Sequence, residues 1–367
     1  MVKSITRVVA NSGALVLAGV LTLAGCGSDG GKGGGGGGAI ACPGGPGTLL
    51  AAGSTAQAPA MDLWRNQFQR ACPGLSVSYG GGGSGAGVQQ FEAGRLAFAG
   101  TDAALTAGDT AATKAACPGG QGIDLPMVGG LVAIVFNVDG VTGLTLDGAT
   151  TAKIFDSQIK KWNDSRIAAL NPGVALPDAD ITSFHRSDDS GTTFNLTSYF
   201  AATSGGAWPA PGNKTWKGEG GQSATGSAGV SAQVERVKNS IGYVELSYAQ
   251  QDKLNAAKIA TAPGRAVAAS AADAATTIAA SSVAGTGADL ALRLDYGTTA
   301  ADAYPIVLVT YEVVCDKGNK PATLPAVKAF LGYTASAAGQ QAIAGAGYVP
   351  LPNALTGRVK GVIDKLG

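Results

Sequence analysis

Three times in this chain, a short apolar run ends at a glycine-flanked serine or threonine, and a run with helical spacing follows. These turns read Gly53-Ser54-Thr55-Ala56, Gly83-Ser84-Gly85 and Ser190-Gly191-Thr192. A strand, a polar turn and a helix in repeated order are typical of a parallel α/β sheet. Ligands bind such sheets at the carboxyl ends of the strands, where these turns lie. The pattern therefore predicts an α/β fold with one polar binding edge.

The three turns also predict what kind of ligand this edge would take. A helix N-terminus exposes unpaired N–H groups and the positive end of the helix dipole, which together favour an anion. Serine and threonine are ordinary helix caps as well, so one such turn alone is weak evidence. Arg186 could donate two N–H bonds to an oxyanion, oriented by Asp188. The alternative for this pair is a surface ion pair of little energy.

A carboxylate at an anion site narrows the choice of ligand further. Asp102 follows the short strand that ends in Gly100-Thr101, and its charge would repel a fully ionised anion. The carboxylate fits if the anion carries a proton for it to accept, as phosphate does at neutral pH and sulfate does not. The alternative role for Asp102 is a helix N-cap. A required hydrogen bond of this kind can discriminate strongly between ligands.

The first residues read as a targeting segment rather than as part of the fold. Lys3 and Arg7 precede an apolar stretch that ends Leu23-Ala24-Gly25-Cys26, which resembles the lipobox of bacterial lipoproteins. We expect a signal peptide over 1–25, lipidation of Cys26, and a glycine-rich tether over 26–38. The alternative is an ordinary signal peptide with an unrelated cysteine.

Composition excludes several classes of function. Lys+Arg number 26 and Asp+Glu 25, so no basic excess indicates nucleic-acid binding. One histidine and no CxxC pair argue against a metal site, and no cofactor motif stands out. Four cysteines beyond Cys26 suggest two disulfides in an exported protein. Of three possible pairings we favour Cys42–Cys72, at the starts of two neighbouring parallel strands, and Cys117–Cys315, at adjoining ends of two antiparallel strands.

Two long apolar runs predict a chain that leaves one lobe and later returns to it. The run 125–137 suits a strand that crosses to a second lobe, and 304–314 suits the strand that returns. The predicted boundaries are 39–127 and 304–367 for lobe I, and 128–303 for lobe II. The stretches 203–229 and 262–300, rich in Gly, Ala and Ser, look like exposed excursions.

Several of these segments resemble the phosphate-binding proteins of the high-affinity phosphate ABC transporter, in order and in spacing, from about residue 48 to 352. The matching segments are Ala52-Gly53-Ser54-Thr55-Ala56-Gln57-Ala58-Pro59, Gly83-Ser84-Gly85-Ala86-Gly87-Val88, Phe98-Ala99-Gly100-Thr101-Asp102, Ile154-Phe155 with Lys161-Trp162-Asn163-Asp164, and His185 to Thr193. The resemblance implies a two-lobed type II periplasmic-binding-protein fold, with mixed, mainly parallel sheets joined by a two-strand hinge. It also implies a lipid-anchored, extracytoplasmic, monomeric binding protein, not an enzyme, that serves an ABC permease and ATPase.

The resemblance assigns a role to each matching residue. Asp102 accepts the phosphate proton, and Asp188 orients Arg186. The residues that donate to phosphate are Thr55, Ala56, Ser84, Arg186, Ser190, Gly191 and Thr192. The chain departs from the family pattern at Ala56, where an aromatic residue is common, and in the insert at 262–300.

Two rival functions start from the same residues. The first is a different oxyanion, such as sulfate or molybdate, or a role as a surface sensor or adhesin. The second is a secreted phosphatase or hydrolase, which needs a metal cluster or an activated nucleophile. A catalytic triad could be formed by Ser190, His185 and Asp188. Side chains alternate along a strand, however, so His185 should point to the face opposite Arg186, which argues against the triad.

Overall fold

The computed structural model describes residue 40 and residues 42–367. The predicted signal peptide, the tether and Cys26 lie outside the described residues. The strands are β1 Gly47–Gly53, β2 Leu75–Gly80, β3 Phe98–Thr101, β4 Gly122–Asn137, β5 Thr145–Leu146, β6 Thr182–Arg186, β7 Gln222–Ala224, β8 Ser240–Glu245, β9 Asn255–Ala256, β10 Lys258–Ala262, β11 Arg265–Val267, β12 Ser282–Val283, β13 Leu292–Arg293 and β14 Val307–Cys315.

Helices alternate with these strands through most of the chain. They are α1 Ala58–Ala71, α2 Ser84–Glu92, α3 Ala107–Thr113, α4 Gly148–Phe155, α5 Ser165–Leu170, α6 Gly191–Thr203, α7 Gly226–Arg236, α8 Leu246–Gln251, α9 Ala271–Ala279, α10 Leu324–Thr334, α11 Ala337–Ala344 and α12 Asn353–Ile363. No helix within residues 42–367 is both long and apolar enough to cross a bilayer.

One mixed sheet runs through the molecule in the order β2-β1-β3-β14-β4-β8-β6-β7, with β9 beside β4. The pairs on both flanks are parallel, whereas β14 and β4 at the centre are antiparallel to their neighbours. Both central strands are almost wholly buried, as the long apolar runs predict. The parallel strands β1, β2, β3 and β6 lead into the four segments that contain the candidate site residues.

The buried apolar side chains form two large clusters. One contains Trp64, Phe68 and Phe330, where α1 and α10 cover the β1–β3 end of the sheet. The other contains Phe155 and Tyr243, where helices cover the β8–β6 end. Both clusters include residues of β4, so this strand links the two cores.

Two disulfides are present, and they join the cysteine pairs favoured from the sequence. Cys42–Cys72 links the segments before β1 and β2, with Cα atoms 5.4 Å apart. Cys117–Cys315 links the segment before β4 to the end of β14, with Cα atoms 5.3 Å apart. Both separations are ordinary for disulfides, because parallel β1–β2 and antiparallel β4–β14 bring these ends together.

The prediction that 203–229 and 262–300 are exposed excursions is wrong for parts of both stretches. Trp208 is buried against Phe200, with ring centroids 5.1 Å apart, and α7 already begins at Gly226. Ile278 of α9 is buried on β4, where a Cβ atom at Gly129 would lie 2.7 Å from its Cδ1. Alanine and glycine give little hydrophobic signal, although they allow this close packing.

Candidate anion-binding site

The first turn follows β1 and leads into α1. Gly53 ends β1 with φ +139°, and a Cβ atom there would lie 2.0 Å from Gly100 O of β3. A side chain cannot fit at this position, so glycine is required for β1 and β3 to end side by side. As a result, the turn that begins at Ser54 stands directly beside Asp102.

Asp102 is 3% exposed, and two hydroxyl groups hold its carboxylate, with the single hydrogen of Ser54 shared between both oxygens. Ser54 Oγ lies 2.6 Å from Oδ1 and 2.7 Å from Oδ2, and Thr310 Oγ1 of β14 donates to Oδ1 at 2.7 Å. Burial raises the pKa of Asp102, although these hydroxyl groups and the charge of Arg186 oppose the rise. Asp102 is therefore a fixed carboxylate with an increased affinity for a proton.

Ser84, the first residue of α2, joins the second turn to both other segments. Its Oγ accepts hydrogen bonds from Asp102 N at 3.2 Å and from Gly191 N at 3.1 Å. Both bonds use the oxygen as acceptor, so the hydroxyl hydrogen is available for a further acceptor. We call Ser54, Ser84, Asp102 and Thr310 the acidic wall of the site.

Arg186 ends β6 and is 2% exposed. Its Nε donates to Asp188 Oδ1 at 2.8 Å, and its Nη2 donates to Asp188 Oδ2. Burial alone would raise the pKa of Asp188, but the hydrogen bond and charge of Arg186, with the N–H of Gly226, lower it. The guanidinium is thus oriented by an ionised carboxylate, while its Nη1 lies 3.5 Å from Ser227 Oγ.

The third turn opens α6 beside Arg186. Ser190 is the N-cap, and its Oγ accepts from Thr193 N at 3.2 Å. A Cβ atom at Gly191 would lie 2.5 Å from Asp102 Cβ, so glycine allows this helix to approach the carboxylate. Thr192 Oγ1 is buried and has no hydrogen-bond partner among the described residues. We call Arg186, Asp188, Ser190, Gly191 and Thr192 the basic wall.

Thr55 and Ala56 lie at the same site, but their polar groups contact protein in this structure. Thr55 Oγ1 lies 3.0 Å from Ser227 Oγ and accepts from Ser227 N at 3.1 Å. Ala56 N donates to Ser54 Oγ at 3.1 Å. The residues selected from the sequence are therefore brought together in one place, and their roles toward a ligand stay predictions.

Sequence reasoning missed four residues that complete the site. Ser54 and Thr310 hold Asp102, Ser227 joins Thr55 to Arg186, and Asn195 Nδ2 donates to Asp102 O at 2.8 Å. Ser227 had a recognisable signal, because Thr225-Gly226-Ser227 is a further glycine-flanked hydroxyl turn before a helix. A lone threonine in the apolar strand β14 was a weaker sign.

The geometry does not form the triad considered above. His185 stacks on Trp216, with ring centroids 4.9 Å apart, and its Nδ1 lies 3.0 Å from Arg186 O. Within residues 42–367, no hydrogen bond joins His185 to Ser190, whose hydroxyl caps α6 instead. A general base in contact with a nucleophile is therefore missing from this arrangement.

Comparison with known proteins gives the family. Residues 41–338 match the PBP superfamily domain. The chain is 44% identical to the phosphate-binding protein PstS 3 of Mycobacterium leprae, over 94% of this chain and 95% of the relative. It is 40% identical to the phosphate-binding protein PstS 2 of Mycobacterium tuberculosis, over 97% of this chain and 99% of that one.

A solved structure supports the fold assignment. The phosphate-binding protein of Stenotrophomonas maltophilia superposes with a TM-score of 0.68 and 21% sequence identity, covering 86% of this chain and 93% of its own. The predicted type II periplasmic-binding-protein fold is confirmed. On these grounds the chain belongs to the PBP superfamily and, within it, to the family of PstS phosphate-binding proteins.

Proposed function

We propose that this protein binds one inorganic phosphate ion, as HPO₄²⁻ or H₂PO₄⁻, between the acidic wall and the basic wall. The observation that carries the proposal is a buried carboxylate facing a buried guanidinium in one polar site. Asp102 and Arg186 are 3% and 2% exposed, and no salt bridge joins them within the described residues. A ligand with both negative charge and an acidic hydrogen can interact favourably with both groups.

The acidic wall favours phosphate over sulfate. Ser54 and Thr310 hold the carboxylate of Asp102 with their hydroxyl hydrogens, so its orientation is set before a ligand arrives. A protonated phosphate oxygen can donate to this carboxylate. Sulfate has no hydrogen to donate and would place like charge against Asp102 at a buried position, where the repulsion is strong.

Donors on the remaining sides complete the proposed phosphate shell. Arg186 supplies positive charge. Ser84 has a hydroxyl hydrogen that is free to donate, and Thr192 Oγ1 has no hydrogen-bond partner among the described residues. The N-terminus of α6 adds the N–H group of Thr192, and that of Gly191 once its present bond to Ser84 Oγ yields to the ligand. Ser190 donates through its hydroxyl group, because its N–H is bonded to Lys214 O. Thr55 and Ala56 donate from the first turn once their present protein contacts yield to the ligand.

We assign the acidic wall to lobe I, which comprises 39–127 and 304–367, and the basic wall to lobe II, which comprises 128–303. The strands β4 and β14 form the proposed hinge, and the walls meet when the lobes are closed. Three sets of contacts support this closed arrangement, because each joins the proposed lobes: Gly191 N to Ser84 Oγ, Ser227 to Thr55, and Asn195 to Asp102 O. A bridging anion would add further contacts only when the lobes are together. It would therefore shift the population toward closure.

The proposed destination of the bound phosphate is the permease and ATPase of an ABC importer. An extracytoplasmic binding protein tethered at a lipidated Cys26 would stay close to that partner and raise its effective concentration. We assign it a monomeric, carrier role rather than a catalytic one. The second candidate ligand is a different oxyanion, such as sulfate or molybdate. If the site is built for sulfate, sulfate should bind at least as tightly as phosphate.

Isothermal titration of the purified protein with phosphate, and separately with sulfate, tests the proposal. We expect tight one-to-one binding of phosphate, and sulfate weaker on the order of 10⁴-fold or more. The protein should first be unfolded and refolded without phosphate, so that any ion carried through purification is removed. Equal affinity for the two anions, or no heat with either, would contradict the assignment.

A further inference from the structure

Three consecutive carbonyl groups of the first turn each accept a hydrogen bond from a tyrosine hydroxyl. The three tyrosines come from separate parts of the chain: from β2, from α8 and from the segment after α11. The pairs are Tyr79 Oη to Ser54 O at 2.9 Å, Tyr248 Oη to Thr55 O at 2.8 Å, and Tyr348 Oη to Ala56 O at 2.6 Å. We call Tyr79, Tyr248 and Tyr348 the tyrosine trio.

A carbonyl oxygen can only accept, so each tyrosine donates its hydrogen to the turn. At Tyr79 the hydroxyl oxygen also accepts on its other side, because Gln57 Nε2 donates to Tyr79 Oη at 2.9 Å. A phenol has one hydrogen, so an oxygen that accepts on one side gives its hydrogen to the carbonyl on the other. Burial raises the pKa of all three tyrosines, which keeps them protonated and able to donate.

The direction of these carbonyl groups decides which way the N–H groups of the turn point. In a trans peptide, the C=O of one residue and the N–H of the next point in opposite directions. Tyrosine bonds at the carbonyls of Ser54, Thr55 and Ala56 therefore aim the N–H groups of Thr55, Ala56 and Gln57 the other way. Consistent with this, Ala56 N points at Ser54 Oγ, which is itself bonded to Asp102.

We infer that the tyrosine trio positions the first turn for oxyanion binding, by holding its carbonyl oxygens away from the anion and its N–H groups toward it. This inference rests on the proposed phosphate function and adds three positioning residues to the site. Tyr248 has a second consequence. It lies in the proposed second lobe, so its bond to Thr55 O forms only when the lobes are together.

Single Tyr→Phe variants at 79, 248 and 348 test the inference, because each removes one oxygen and keeps the ring. Tyr304→Phe is the matched control: its hydroxyl donates to Val132 O at 2.9 Å, a buried tyrosine–carbonyl bond that does not involve the turn. By calorimetry with inorganic phosphate, we expect each trio variant to bind about three- to tenfold more weakly than wild type. Tyr304→Phe should lose thermal stability to a similar extent and keep wild-type affinity.

Two readouts separate failure of this inference from failure of the proposed function. Wild-type binding of phosphate tests the function, and the ratio of variant to wild-type affinity tests the trio. Trio variants with wild-type affinity, or an equal loss in Tyr304→Phe, would overturn the inference while the function stands.

Amide hydrogen exchange of the ligand-free protein supplies a second measurement that needs no ligand. Exchange at Thr55, Ala56 and Gln57 should speed up in Tyr79→Phe and Tyr348→Phe, and should not change in Tyr304→Phe. Unchanged exchange in all variants would refute the positioning role, whatever the protein binds.

Discussion

The acidic and basic walls of the site each contain an aspartate, buried at Asp102 and partly buried at Asp188, but the two carboxylates are stabilised in different ways. Asp188 forms a bidentate pair with Arg186, which lowers its pKa. Asp102 has only hydroxyl and backbone neighbours within hydrogen-bond distance among the described residues, and burial raises its pKa. Asp188 is therefore paired with a cation of the protein itself, whereas Asp102 is suited to accept a proton from a ligand. One wall therefore provides charge for affinity, and the other provides a test for a protonated ligand.

The largest effect is expected from removing the charge of the basic wall. Arg186→Ala should weaken phosphate binding on the order of 10²–10³-fold, because a buried charged donor is lost and Asp188 is left unpaired. Arg166→Ala is the control, since Arg166 makes the same kind of bidentate pair with Asp164 on the exposed surface. Calorimetry with phosphate measures both. If Arg186→Ala binds like wild type, the basic wall has been assigned wrongly.

A smaller and more selective effect is expected at the acidic wall. Asp102→Asn keeps the shape and one acceptor oxygen but removes the negative charge that rejects sulfate. We expect the ratio of phosphate to sulfate affinity to fall about 100-fold, chiefly through tighter sulfate binding. Asp139→Asn, at a surface side chain that is 78% exposed, controls for the loss of one net charge. An unchanged ratio in Asp102→Asn would mean that discrimination lies elsewhere.

A change of pH is expected to have the smallest effect on phosphate binding and a clear effect on the free energy of unfolding. Burial raises the pKa of Glu245 and of Glu312 to about 8, with the charge of Asp102 adding to the rise. Their folded pKa exceeds the unfolded value, so their contribution to stability is complete below the unfolded pKa and is lost as pH rises toward 8. The free energy of unfolding should decrease by on the order of 1 kcal/mol or more between pH 5 and pH 8.

Thermal denaturation at these two pH values, with Glu312→Gln beside wild type, measures this dependence. The neutral amide should reduce the pH slope and raise the melting temperature at pH 8. Glu235→Gln, which changes an exposed carboxylate, should leave the slope unchanged. A slope of the opposite sign in wild type would show that these two glutamates are not held protonated.

Local patterns in the sequence were sufficient to predict the parts of the site that lie within one turn. Ser84, Arg186 and Ser190 each stand next to glycines or at the end of a strand, where their neighbours already indicate their position. The partners of Asp102 are different in kind. Thr310 contacts Asp102 across 208 positions of sequence, and Tyr248 contacts Thr55 across 193. Such contacts depend on the strand order, which no local pattern contains.

The same limit applies to the fold. The alternation of β1, α1, β2 and α2 could be read from the chain, as could the long central strands. The packing of α9 could not, because its contact with β4 depends on a glycine on one side and a single isoleucine, Ile278, on the other. The periodicity of apolar residues indicates where large side chains are buried, but it gives no signal for close packing at small residues such as glycine and alanine.

The Cys117–Cys315 bond spans a sequence separation of 198, which includes both central strands and everything between them. A protease that cuts once anywhere inside that ring would therefore leave a nicked protein whose pieces stay covalently joined until a reductant is added. Extracellular enzymes that reach an exposed connection could cleave it without releasing a fragment. Damage of this kind would be visible only on a reducing gel.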